Sequence, residues 1–495
     1  MSLINIQNLT FSYDGSYDNI FENVSFQLDT DWKLGFTGRN GRGKTTFLNL
    51  LLGKYSYSGK ISASVSFEYF PYKVGDKTVN TIDIVEQIYP DYEYWQIAKE
   101  LNLLAVSEEV LYRPFNTLSN GEQTKVLLAV MFLKENSFLL IDEPTNHLDI
   151  EARQIVSRYL NSKKGFILVS HDRAFLDGCV DHILSINKTN IEIQQGNFSS
   201  WLSNKELQDN FELAENAKLK KEIRRLTETA QEKAKWSDVA DRRKVGIDPN
   251  KVDNKSGYRP MQAAKAEKLM KRAKAIEKRN DKALEEKSKL LKNIETTAEL
   301  KISQEKYHSE RLVYADNLSI EYDGRKIFDS ISFSINRGDR LSLKGKNGSG
   351  KSSIIKLICG EDIGYSGTFE KGSGLKISYV PQDIGGISGN LSDYARQYNI
   401  DESLFKAILR KLDFARVQFE KDISSFSDGQ KKKVLIAKSL CEKAHLHIWD
   451  EPMNYIDVIS RMQIEKLITD FEPTIVFVEH DKAFCDNIAT KIIEL

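Results

Sequence analysis

Two stretches of this chain are built to hold phosphate. Gly38–Thr45 runs Gly-Arg-Asn-Gly-Arg-Gly-Lys-Thr, and Gly345–Ser352 runs Gly-Lys-Asn-Gly-Ser-Gly-Lys-Ser. Glycines at this spacing let backbone N–H groups wrap a phosphate at a helix N-terminus, where the dipole favours an anion. Gly38, Asn40, Gly41 and Gly43 would form one cradle, and Gly345, Asn347, Gly348 and Gly350 the other. Lys44 and Lys351 would reach the outer phosphates. Thr45 and Thr46, and Ser352 and Ser353, open the following helices, with the Thr45 and Ser352 hydroxyls placed to ligate Mg²⁺.

Carboxylates suited to the same chemistry follow in each half. Asp142-Glu143 closes the apolar run Phe138–Ile141, and Asp450-Glu451 closes His445–Trp449. Asp142 and Asp450 would orient Mg²⁺, while Glu143 and Glu451 would position or deprotonate an attacking water. His171 and His480 each end another apolar strand and would contact the γ-phosphate. Two serine-glycine signatures, Ser119-Asn120-Gly121 and Ser427-Asp428-Gly429, lie between. One acidic pair or one histidine alone reads as structural. Here lysine, serine, aspartate and histidine recur in order at offsets of 307, 308, 308 and 309 residues. Such a repeat implies two nucleotide-binding domains in tandem.

These side chains require parallel strands and helices to position them. At 495 residues the chain is too long for one core. Residues 1–204 alternate short apolar strands with helical stretches, as an α/β domain should, and residues 310–495 repeat the pattern. Even the openings correspond, Asn8–Gly15 against Asn317–Gly324. No apolar run approaches the roughly 18–20 residues that span a bilayer. The first six residues alternate like a strand and lack the layout of a signal peptide. Cys179, Cys359, Cys441 and Cys485 are scattered, as free thiols of a reducing cytoplasm are.

Residues 205–309 differ in kind. Leu219, Ile223, Leu226 and Ala230 make one helical stripe, and Ala266, Leu269, Ala273 and Ile276 another. Gly246, Pro249, Gly257 and Pro260 break them, which predicts a helical hairpin with its tip at about 243–260. A helix of about 35–40 residues would reach roughly 50–60 Å. Net charge is zero overall, yet Lys218–Lys292 holds 24 Lys or Arg against 12 Asp or Glu. That excess points to a polyanionic partner, with a solvated spacer as the plainer alternative.

With the phosphate loops, Leu118–Gln123 (LSNGEQ) and Phe426–Gln430 (FSDGQ) resemble the ATP-binding cassette superfamily over both end domains. The resemblance implies two tandem α/β ATPase cassettes that bind ATP and Mg²⁺ between them. The serine and glycine of one signature, Ser119 and Gly121 or Ser427 and Gly429, would face ATP held by the opposite cassette. Lys44 and Asp142 are thus expected opposite Ser427 and Gly429, and Lys351 and Asp450 opposite Ser119 and Gly121. Asn120 and Asp428 depart from the usual glycine, and both residue types tolerate left-handed backbone. Tyr13 and Tyr322 match the aromatic that stacks on adenine. Gln382 matches the glutamine that senses Mg²⁺ and water. The first copy has Tyr72 there, so its turnover is expected to differ.

The run Glu143–Asp149 (EPTNHLD) and cassettes without membrane segments resemble the ABC-F branch, whose members bind the ribosome. The resemblance implies that the hairpin enters the exit site beside the P-site tRNA and large-subunit rRNA. Arg242, Arg243, Lys244, Lys251, Lys255, Arg259, Lys265, Lys268, Lys271 and Arg272 are the expected RNA contacts. Tyr258, with Val245, Ile247 and Val252, would stack on RNA or pin the turn. The opening SLINIQNLTFSYDGSYD and the first phosphate loop are similar to Lsa-type proteins. That likeness implies ribosome protection against lincosamides, streptogramin A and pleuromutilins, by a cytoplasmic monomer with no membrane partner. A housekeeping ABC-F translation factor is the alternative, and the soluble ATPase of a transporter a further one.

Overall fold

The apolar runs that end in Asp142 and Asp450 lie at the centre of parallel sheets in the computed structural model. The structure describes residues 2–13, 19–145, 148–186, 191–212, 305–322, 325–328, 330–346, 348–414 and 416–495, with scattered helical positions between 214 and 278. The chain divides into two units, residues 1–201 with 297–495, and residues 202–296.

In the first copy the strands run in the order Ser66–Phe70, Ser137–Asp142, Phe166–Val169, Lys33–Gly38, His182–Ile186 and Ile191–Gln195. Pairing is parallel except at the last strand. The second copy orders Ile377–Val380, Leu446–Asp450, Ile475–Val478, Arg340–Lys344 and Lys491–Glu494, all parallel. Parallel strands covered on both faces must be apolar throughout, and Phe166–Val169 and Ile475–Val478 are buried at every position. An antiparallel sheet accompanies each: Phe21–Asp29, Leu3–Phe11 and Ser58–Ser62 in the first copy, and strands paired to Arg311–Tyr322 in the second.

The helix after each phosphate loop is held by the core. Phe47, on Lys44–Leu51, meets the rings of Phe21, Phe26 and Phe36 with centroids 5.6–6.0 Å apart. Ile354, Ile355 and Ile358 do the same for Lys351–Cys359. Strand order then places the site. The strands ending in Asp142, in Val169 before His171, and in Gly38 are immediate neighbours, with Asp142 and Phe36 both opposite Val169. Their carboxyl ends open on one edge, where ligands of open α/β sheets bind.

In the second unit, residues 202–212 are helical, and Lys268 and Lys271 are helical and exposed. The expected tip at 243–260 lies outside the described residues, as do Arg242, Arg243, Lys244, Lys251, Lys255, Tyr258, Arg259, Lys265 and Arg272. Among the described residues no helix is long and apolar enough to cross a membrane.

Candidate active sites

Each phosphate loop positions its lysine by its own carbonyls. Lys44 Nζ donates to Gly38 O at 2.6 Å and Arg39 O at 3.2 Å, and Lys351 Nζ to Gly345 O at 2.9 Å and Lys346 O at 2.8 Å. Gly43 and Gly350 make the turn into the helices at φ 95° and 97°. A Cβ at Gly43 would fall 2.6 Å from Ile20, so glycine is required there. Both lysines are buried, and that desolvation lowers their pKa values. Tyr13 donates to or accepts from Thr46 Oγ1 at 2.8 Å, and its ring meets those of Phe11 and Tyr55 edge-on. The Tyr322 side chain and Asn347 lie outside the described residues.

The hydroxyl–carboxylate pairs form in both copies: Thr45 Oγ1 donates to Asp142 Oδ2 at 3.4 Å, and Ser352 Oγ to Asp450 Oδ2 at 3.5 Å. These are hard oxygen donors of the kind that hold Mg²⁺ together with substrate phosphates. Among the described residues no group of three or more His, Cys, Asp or Glu forms a fuller metal site. The donor set therefore fits a Mg²⁺ shared with nucleotide.

Glu143 and Glu451 follow at φ 50° and 47°, a left-handed backbone that costs energy outside glycine and that collects at functional sites. Their N–H groups are tied to Val169 O and Val478 O at 2.9 and 3.0 Å, which holds the turn. His171 Nε2 lies 3.4 Å from Glu143 Oε1, and His480 Nε2 lies 3.7 Å from Glu451 Oε1. Each histidine thus faces the carboxylate of its own copy.

Around that shared frame the copies differ. Glu451 Oε2 accepts from Asn454 at 2.6 Å and from Gln382 at 2.9 Å. Burial pushes this carboxyl up, but hydrogen bonding and the charge of His480 outweigh it and hold it below the usual range. Glu143 Oε1 is buried and accepts no hydrogen bond from the described residues. Desolvation, with Asp142 beside it, raises Glu143 to about 8. Tyr72 does not take over the part of Gln382. Tyr69, three residues earlier, donates to Asp142 Oδ2 at 3.0 Å instead.

Each site draws on both copies. A cavity of about 880 Å³ is lined by Lys351, Ser352, Glu451 and His480 on one side and by Ser119 and Gly121 on the other. Such a volume is within the usual range for a ligand pocket. At the other site Asn40 Nδ2 donates to Tyr455 O at 2.7 Å, and a Cβ on Gly429 would lie 2.9 Å from Asn40 Nδ2. Ser119 and Ser427 are helix N-caps, each in a capping box with Glu122 or Gln430. The tolerance of Asn120 and Asp428 for left-handed backbone is not called on in this arrangement. With serine at the N-cap, both are the first helical residues, and neither takes positive φ.

Charged groups also cross between the copies. Arg173 is hydrogen-bonded to Glu465, Arg42 lies 3.4 Å and Arg39 3.7 Å from Asp413, and Lys346 lies 3.2 Å from Glu151. The Arg173–Glu465 pair is nearly buried, with side chains 12% and 9% exposed. Arg173→Ala would strand the Glu465 charge, so a loss of about 3–5 kcal/mol in unfolding free energy is expected. An unchanged denaturant midpoint would rule this out. None of these partners was marked by sequence motif. Asp413 and Glu465 lie far along the chain from Arg39, Arg42 and Arg173, and no motif spacing links them.

A family model described as ABC transporter matches residues 21–146 and 328–454, once on each copy and over just more than half of the chain. YkpA, an uncharacterised ABC transporter ATP-binding protein of Bacillus subtilis (strain 168), is 28% identical over 96% of this chain and 92% of its own length. The ribosome protection protein VmlR of the same organism is 26% identical over 96% of this chain and 84% of its own. The archaeal ribosome recycling factor aABCE1, solved in complex with the stalk protein aP1, aligns at a TM-score of 0.64 and 18% identity. That alignment covers 98% of this chain and 87% of the other, and it shows likeness of fold. With two phosphate loops, two signature helices and two carboxylate turns meeting across the copies, the chain belongs to the ABC transporter family as a tandem pair of ATP-binding cassettes, and it is an ATPase.

Proposed function

We propose that this ATPase is an ABC-F protein that binds the ribosome and protects it from antibiotics of the peptidyl-transferase centre: lincosamides, streptogramin A and pleuromutilins. The observation that carries the ATP-driven part is the shared cavity. Because Ser119 and Gly121 line the same space as Lys351 and Glu451, ATP there bridges the cassettes and favours their closed arrangement. Thr45 with Asp142, and Ser352 with Asp450, would hold Mg²⁺, which supplies charge neutralisation at the phosphates. Glu143 and Glu451 orient or deprotonate water, and hydrolysis lets the cassettes part and releases the protein.

The ribosomal partner is supported by the excess of 24 basic over 12 acidic residues in Lys218–Lys292, and by similarity to a relative named as a ribosome protection protein. RNA phosphates reward that density, and the hairpin contacts P-site tRNA and rRNA from the exit site of a cytoplasmic ribosome. Co-sedimentation with ribosomes should be ATP-dependent and fall by an order of magnitude or more between low and physiological salt. Failure to pellet under any condition would return the transporter-ATPase reading to first place. Restoration of drug-inhibited translation in vitro separates protection from a housekeeping role: a housekeeping factor leaves inhibition unchanged.

A further inference from the structure

Lys432 is fully buried, yet no part of the nucleotide chemistry described above uses it. It lies on the signature helix Asp428–Cys441, whose N-cap is Ser427. Five residues at 1.5 Å each put it about 7.5 Å along the axis from that cap. Its ammonium donates to Pro381 O at 2.8 Å, Asp450 O at 3.3 Å and Gln382 O at 3.4 Å. An ammonium has three donors, and all three are used on backbone carbonyls flanking the second catalytic carboxylate. Gln382, whose carbonyl it holds, in turn donates its side-chain amide to Glu451 Oε2.

The charge is compensated within the same copy. Glu479 is buried beside the carboxylate turn, accepting from Met453 N at 3.1 Å and His480 N at 3.2 Å. Of the carboxylates acting on Lys432, Glu479 is the strongest, ahead of Asp450 and Glu451. The first copy has neutral hydroxyls at all three corresponding positions. Thr124 donates to Asn120 O within its own helix at 2.9 Å, and Thr145 and Ser170 bond each other at 3.3 Å. An isolated buried ammonium would be costly, and the carbonyls and carboxylates around Lys432 offset that cost in an arrangement particular to the second copy.

The first turn of the same helix faces the first site. Gly429 packs against Asn40 of the first phosphate loop and against Tyr455 O. One rigid helix therefore touches the phosphate loop of the Lys44 site with its first turn and the carboxylate turn of the Lys351 site with Lys432. We propose that Lys432 is a positioning residue that makes hydrolysis at the Lys351 site depend on closure of the Lys44 site. The coupling runs one way, since Thr124 gives the first copy no equivalent hold.

This inference rests on Glu451 serving as the water-orienting carboxylate, and the test separates the two. In the intact chain carrying Glu143→Gln, only the Lys351 site turns over. In that background Lys432→Met is expected to lower kcat at least about tenfold with KM changed less than about twofold. Because Lys432→Met removes one buried cation near Glu479 and leaves Arg461 as its counter-charge, a second variant, Lys432→Thr with Met453→Thr and Glu479→Ser, installs the first copy's own set. It should melt near the parent temperature and show the same loss of kcat. Ser427→Ala should slow turnover when Lys432 is present and add nothing once Lys432 is Met. Parental kcat in both Lys432 variants, with or without lower melting temperature, would overturn the proposal. So would equal slowing by Ser427→Ala in either background. Persistent turnover in Glu143→Gln, Glu451→Gln would overturn the assignment of Glu451, leaving Lys432 to be judged on its own kcat.

Discussion

ATP turnover by the Glu143→Gln, Glu451→Gln protein is expected to fall about 10²–10⁴-fold, the usual contribution of a positioned general base. Glutamine preserves the size of the side chain and an acceptor oxygen but cannot take a proton from water. The left-handed backbone at both positions is set by the tie to Val169 O and Val478 O, so the substitution leaves the turn in place. Nucleotide binding should survive, and with it the closed arrangement. The variant should therefore remain on ribosomes with ATP after the parent has dissociated. Phosphate release in a single-turnover experiment is the direct measurement. Release at the parental rate would remove both glutamates from the base role.

The single variants should not be equal. Glu451 is held by Asn454, Gln382 and His480, and it is kept ionised. Glu143 Oε1 lies 3.4 Å from His171 Nε2 and accepts no hydrogen bond from the described residues, and desolvation, with Asp142 beside it, raises its pKa to about 8. Its loss is expected to cost less of the total turnover than loss of Glu451.

Gly429→Ala is expected to lower turnover by about 10²-fold, the scale on which a misplacement of about 1 Å acts at a reacting centre. The added Cβ would sit 2.4 Å from Tyr455 O and 2.9 Å from Asn40 Nδ2. A backbone carbonyl cannot retreat as a flexible side chain can, so the signature helix must shift against the Tyr455 turn of its own copy. That shift disturbs the bond that Tyr455 O accepts from Asn40 of the first phosphate loop. Helix propensity acts the other way, favouring Ala over Gly by about 1 kcal/mol, and offsets part of the strain. Gly121→Ala supplies the control. Its Cβ would meet only Leu148 Cδ2 at 3.5 Å, an ordinary contact, and turnover should stay within about twofold. Matching activities for the two variants would mean that the close approach at Gly429 does not govern closure.

Much of the site was legible because its chemistry is written locally. A phosphate loop needs its glycines and lysine within eight residues, and a capping box needs serine and Glu or Gln three apart. Both patterns survive in any reading frame of the fold. The strands were legible for a similar reason: a strand covered on both faces, such as Ile475–Val478, is apolar throughout. Residue type at Asn120 and Asp428 said only which backbone each could tolerate. The cap formed by the preceding serine decides their backbone. Tyr69 was not marked because alignment of the repeats matches positions and leads to Tyr72, whereas the hydroxyl that reaches Asp142 comes from three residues earlier.

By itself, then, the sequence determined the two-fold repeat and the spacing of the phosphate loops, capping boxes and carboxylate pairs within each copy. These depend on side-chain type and short spacing. Only the tertiary structure decided which residues meet across the copies. Asn40 bonds Tyr455, 415 residues away, and Arg173 finds Glu465, 292 away. It also decided that the two sites differ, with Glu451 held by three neighbours and Lys432 behind it, while Glu143 Oε1 is buried and accepts no hydrogen bond from the described residues. Contacts at such separations follow from how whole layers pack, and neither periodicity nor motif spacing carries that information.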